Sequence, residues 1–134
     1  MINISTVNFN ATTSVKNSIH NTIGLCECES GGILGESDGM VSCYFFDRGK
    51  IGGEGVYSPN RDRIEEVINV WNLKGVSFWG FIHSHRTSQK LSYADKEFAH
   101  MFLRMNDLET VNMCIYLFHL KDFIAYRVRR DYTS

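Results

Sequence analysis

Proline is nearly absent from this chain. Pro59 is the single one among 134 residues, and there is no low-complexity tract, Pro/Ser-rich linker or internal repeat. A flexible linker between domains is therefore not expected, and the length suits one domain. No run of about 18 apolar residues occurs, so a membrane-spanning helix is not expected either. The first residues, MINISTVNFN, have neither the basic start nor the apolar stretch of a secretory signal, which points to the cytoplasm. An excess of one charge is also lacking. Fourteen Lys and Arg stand against 15 Asp and Glu, for a net charge of −1, whereas a nucleic-acid binder presents a strongly basic face. The four cysteines, Cys26, Cys28, Cys43 and Cys114, are expected to be reduced thiols, and Cys43 and Cys114 read as small buried hydrophobes.

What is plentiful is bulky apolar material. Nine Phe, six Tyr and two Trp within a 43% apolar composition can build a core, with Trp71 and Trp79 as anchors. Val15, Ile19 and Ile23 recur every fourth residue and predict a helix over Ala11–Gly24, ended by Gly24. Met40–Asp47 and Ile51–Tyr57 read as consecutive antiparallel strands joined by the turn Arg48-Gly49-Lys50. Ser58-Pro59 starts a second helix, with Ser58 as its cap. Ile64, Val67, Ile68 and Trp71 share one face of it, and Gly75 stops it. Val76–His83 is a nearly continuous apolar run, as in a central strand buried on both sides. Ser92–Met105 reads as a third helix, and Val111–Leu120 with Phe123–Val128 as a closing strand pair around Lys121-Asp122. Helix, strands, helix, strand, helix, strands predicts an α/β sandwich on a mixed sheet.

The chemistry concentrates in two short stretches. His83 and His85, two apart on a strand, point to one face, so their imidazoles can meet one metal ion. Asp95 lies in the first turn of the next helix, within reach of that strand end. Two His and one carboxylate leave a fourth metal position open to water, the pattern of a catalytic zinc site. Ser92 adds a hydroxyl beside them. A plainer account of the second stretch also stands. Ser92-Tyr93-Ala94-Asp95 is a capping box, which explains both polar residues without any metal.

His83-Ser84-His85, six intervening residues, then Ser92-Tyr93-Ala94-Asp95 resembles the signature of the JAMM/MPN+ zinc metalloprotease family (the Mov34/MPN/PAD-1 or JAB domain): H-x-H, a spacer, S-x-x-D. Upstream, Glu29-Ser30-Gly31-Gly32-Ile33-Leu34-Gly35 resembles the family's E-x-G-G-I-L-x-G stretch, in the expected order. The likeness runs from about Ile23 to Val128. It departs from the pattern in two places: the spacer Arg86–Leu91 is one residue short, and Arg86 replaces the usual proline.

The resemblance implies one JAB/MPN-type domain over residues 1–134, of a minimal prokaryotic type. Its fold would be a mixed, mostly antiparallel sheet flanked by helices, a cytidine-deaminase-like JAB/MPN sandwich. It implies Zn²⁺ held by His83, His85 and Asp95. Glu29 would be the catalytic base and Ser92 a hydrogen-bond donor to the attacking water or to the oxyanion, while Gly31 and Gly32 let backbone pack close to the site. The implied activity is peptidase or isopeptidase, on a protein or peptide substrate, at the C-terminal tail of a ubiquitin-like or sulfur-carrier protein, with neither nucleic acid nor membrane as partner. The alternative is a non-catalytic binding module on the same fold. Two rival assignments stay open at this level. Glu27 points to the same side of an extended chain as Glu29, and Cys26 with Cys28 offers thiolates that His83 and His85 could complete into a closed Cys₂His₂ site. His20, His100 and His119 have no motif around them.

Overall fold

Six strands and three α-helices make up the described residues, 3–49 and 59–130, of the computed structural model. In chain order they are β1 (Ile4–Val7), α1 (Thr13–His20), β2 (Gly31–Ser37), β3 (Met40–Asp47), α2 (Arg61–Leu73), β4 (Ser77–His85), α3 (Tyr93–Met105), β5 (Thr110–Leu117) and β6 (Asp122–Arg129). A single 3₁₀ turn, Ile23–Leu25, follows α1. The sheet order is β1-β6-β5-β4-β2-β3, and every pair is antiparallel except β4 with β5. This is the mixed, mostly antiparallel α/β sandwich the sequence predicts. None of the described helices is long and apolar enough to cross a membrane.

The period-two alternation of the strands sorts the core into two layers. Ile33, Phe81, Met113 and Ile115 face α2 and α3, together with Ile64 and Leu103 from those helices. Their chain neighbours Leu34, Ile82, Cys114 and Tyr116 face α1, against Val15 and Ile19. Because β4 is central and covered on both sides, its apolar run needs no alternation with polar residues. Crowding between strands selects glycine at two points. A Cβ on Gly32 would lie 2.1 Å from the Phe45 carbonyl oxygen, and one on Gly80 2.1 Å from that of Asn112. The freedom at Gly32 thus serves the β2–β3 contact, whereas the sequence suggested it served the site.

Several boundaries move. The first helix starts at Thr13, with the Thr12 side chain accepting from the Val15 N–H, and ends at His20 with Asn21 as cap, so Gly24 lies in the 3₁₀ turn. The second helix is capped by Asn60, whose Oδ1 accepts from the Arg63 N–H, so Pro59 precedes the cap. The predicted cap Ser58 and the predicted strand Ile51–Tyr57 lie outside the described residues. Gly75, at φ +78°, does close that helix. β4 runs two residues further than predicted, through His85. β1 was not anticipated: it adds an edge, pairing Ile4 with Val128 and Val7 with Ala125.

Candidate metal centre

The register of β2 on β4 sets the geometry of the site. Gly31 opposes His83 and Ile33 opposes Phe81, so beyond the register shift at Leu34/Gly35 the odd-numbered positions Gly31, Ile33, Phe81 and His83 face the α2–α3 side. His83 and His85 occupy the C-terminal end of β4 on that face, 6% and 7% exposed. From there the chain crosses Arg86–Leu91, pinned by the buried Leu91, and enters α3 at Ser92. The first turn of α3 is a complete capping box. The Asp95 N–H donates to Ser92 Oγ at 3.1 Å, and the Ser92 N–H donates to Asp95 Oδ2 at 2.8 Å. That reciprocal pair turns the Asp95 carboxylate toward the strand end. The capping account and the ligand account of this motif are therefore one arrangement, and the shortened spacer is absorbed by the loop.

Three donor groups converge. His83 Nε2 and His85 Nε2 are 3.0 Å apart, Asp95 Oδ1 is 3.0 Å from His83 Nε2, and Asp95 Oδ2 is 3.1 Å from His85 Nε2. A tetrahedral zinc ion with bonds of about 2.0–2.1 Å has ligand-to-ligand edges of about 3.3 Å, so the spacing fits a shared ion. The donor chemistry fits as well. His85 Nδ1 donates to the Ser88 carbonyl at 3.0 Å; a carbonyl only accepts, so the neutral ring keeps its lone pair on Nε2. An imidazole lone pair and a carboxylate then face one point, which calls for a cation. Among the described residues, His83, His85 and Asp95 are the group placed to hold a metal ion.

The same proximity perturbs the groups themselves. Burial alone would lower the His85 pKa, but the Asp95 carboxylate and the Ser88 carbonyl raise it above the ordinary value. Burial alone would raise that of Asp95, but hydrogen bonding to His83 and His85 holds it well below the usual carboxylate range.

A cleft of about 650 Å³ opens over the three donors and is lined also by Glu29, Ser92 and Arg86. Glu29 is half-buried just before β2, two residues ahead of Gly31. Glu27 is exposed and absent from that lining; it borders an adjoining smaller cavity of about 300 Å³ with Cys26 and Cys28, which Glu29 and His85 also line. Both thiols stay out of the converging group, so the closed Cys₂His₂ alternative does not form, and all four cysteines are free. Ser92 Oγ spends an acceptor site on the cap and retains its own O–H as a donor at the cleft. The remaining histidines are remote from the group. His20 Nδ1 pairs with the Tyr116 hydroxyl at 2.9 Å, His100 is half-buried on α3, and His119 is exposed after β5. Two participants were not legible in the sequence: the Ser88 carbonyl, a backbone atom in a loop, and Ser84, whose hydroxyl accepts from the Ser30 N–H at 3.2 Å.

The fold matches that of a JAB1/MPN domain of known structure. AF2198, a JAB1/MPN domain protein from Archaeoglobus fulgidus, matches 92% of this chain and 96% of its own, at 14% identity and a TM-score of 0.52. The solution structure of protein DSY2949 from Desulfitobacterium hafniense matches 88% of this chain and 81% of its own, at 15% identity and a TM-score of 0.63. At such identities the likeness is one of fold. No protein-family model matches the sequence, and no curated protein matches it.

Proposed function

We propose that this chain is a zinc-dependent peptidase or isopeptidase of the JAMM type. Its substrate would be an amide bond at the C-terminal tail of a ubiquitin-like or sulfur-carrier protein, met in the cytoplasm. The observation that carries the reading is the meeting of His83, His85 and Asp95 at 3.0–3.1 Å beneath a cleft that also contains a carboxylate, Glu29, outside the donor set. A structural zinc site would use four protein ligands, whereas three leave a place for water.

Bound zinc would supply a water acidified toward a pKa of about 7 and a Lewis acid for the scissile carbonyl. Glu29, the cleft carboxylate outside the donor set, would accept a proton from the attacking water and return it to the leaving amine, a general-base and then general-acid role for one carboxylate. Ser92 donates its free O–H to the developing oxyanion. Hydrogen bonding to His83 and His85 holds the Asp95 carboxyl well below the usual carboxylate range, which suits it to the role of an anionic ligand.

The test is metal content followed by turnover. One zinc per chain and cleavage of a ubiquitin-like tail fusion are expected, with cleavage lost in Glu29→Gln while zinc is retained. A metal-free chain under metal-replete conditions would sink the proposal. Bound zinc without cleavage of any tail fusion would leave the non-catalytic binding module in its place.

A further inference from the structure

His83-Ser84-His85-Arg86 divides its work by parity. The odd positions supply metal donors to the cleft. The even positions reach the segment that carries Glu29. Ser30 directly opposes Ser84 when the β2–β4 register is extended by one pair beyond Gly31 and His83. An ordinary antiparallel rung would exchange two backbone hydrogen bonds. Here the Ser84 N–H donates to the Ser30 carbonyl at 3.0 Å, but the return bond from the Ser30 N–H goes to the Ser84 hydroxyl, at 3.2 Å. Both serines are 4% exposed, and Ser30 Oγ makes no hydrogen bond, so Ser84 Oγ alone satisfies the buried Ser30 N–H. Three residues upstream, the Arg86 guanidinium donates to the Glu27 carbonyl at 3.1 Å. The short segment 27–30 is thus held at both ends by residues that alternate with the histidines.

Building on the peptidase reading above, we propose that Ser84 and Arg86 are positioning residues for Glu29, clamping the backbone on either side of it so that its carboxylate stays over the His83/His85/Asp95 group. This gives the departure at Arg86 a purpose. A proline there could not reach the Glu27 carbonyl, so a chain with arginine gains a second tether. Neither residue acts on substrate through this contact; each acts through the placement of Glu29.

The test uses the full chain loaded with Co²⁺ and labelled with carboxyl-¹³C glutamate, the Glu29 signal being assigned by its loss in Glu29→Gln. In the wild type the paramagnetic ion displaces that signal. In Ser84→Ala and in Arg86→Met, cobalt per chain stays unchanged while the displacement collapses toward its metal-free position; Ser84→Thr, which keeps a hydroxyl, retains it. On a tail fusion, kcat falls about 10- to 100-fold with KM unchanged, the range for residues that orient a catalytic group. Arg86 is exposed, so Arg86→Met is the variant least able to disturb folding. For Ser84, the wild-type protein supplies a second measurement: slow hydrogen exchange at the Ser30 amide. A Glu29 signal still displaced in both variants, an effect confined to KM, or a Ser30 amide exchanging like an exposed one overturns the inference. A wild-type chain that takes up no cobalt overturns the metal reading itself, which is a different result.

Discussion

α2 and α3 are both 13 residues long, pack on the same face of the sheet, and start with a side-chain cap. Each also has a carboxylate at its entrance. At α2, Asp47 accepts from the N–H groups of Gly49 and Asn60, both at 3.0 Å. At α3, Asp95 accepts from the Ser92 N–H and then turns both oxygens to imidazoles. The first carboxylate accepts from the backbone at two points around the helix start; the second accepts from backbone and also faces two imidazoles. A capping box therefore says nothing against function. The same hydrogen bonds that start a helix fix the direction of a carboxylate, and what stands opposite decides its role.

The contrast can be broken in graded steps. Asp95→Ala should abolish metal uptake, read by metal analysis after dialysis, since two imidazoles alone make a poor site. Ser92→Ala removes the hydroxyl that fixes the first turn of α3 while the Ser92 N–H still holds Asp95 Oδ2, so metal affinity should drop about 10-fold by competition against a chelator. The same change should cost about 1 kcal/mol of stability for the lost cap. Asn60→Ala should cost about 1 kcal/mol or less in denaturant unfolding, with metal affinity unmoved. An Asn60 effect on metal as large as that of Ser92 would erase the distinction between the two helix starts.

Acidity sharpens it further. Metal binding needs unprotonated imidazoles, so the stability added by zinc should grow as pH rises through about 6.5. The metal-free chain should behave in the opposite way there. The raised pKa of His85 means that its pairing with Asp95 stabilises fully below the unfolded value and is lost as pH rises through the folded one. Asp95, depressed, contributes above its unfolded value of about 3.9 and is lost as pH falls below it. Unfolding curves with zinc and with chelator, taken from pH 5 to 8, should diverge with pH by about the binding free energy gained.

The convergence of His83, His85 and Asp95 was legible because strand parity and helix-start chemistry are both short-range rules: residues two apart on a strand share a face, and Ser-x-x-Asp favours a helix start. The central strand was legible from its unbroken apolar run. β1 was not, because Ile4-Ser5-Thr6-Val7 becomes a strand only through the edge of β6 that it meets. The cap of α2 was misplaced because Ser58-Pro59 and Asn60 are both good starts locally, and the buried Asp47, which takes the Asn60 N–H, comes from a distant strand. Glu29 could be favoured over Glu27 only by resemblance; its place in the lining of the cleft over the three donors, which Glu27 does not share, supplies the physical reason. Tethers made by backbone atoms, such as the Ser88 and Glu27 carbonyls, leave no mark on residue identity at all.

The capping box has a consequence for the order in which the molecule comes together. Asp95 meets His85 across a sequence separation of 10, within one strand, one loop and one helix start. Ser30 meets Ser84 across 54. Closing the shorter loop costs less chain entropy, and local contacts form sooner. During folding the donors can gather, and take an ion, while the segment bearing Glu29 is still unpaired. On the proposed hydrolase reading, metal capture and the placing of Glu29 would be separate events along the chain's assembly, the second waiting on the pairing of β2 with β4.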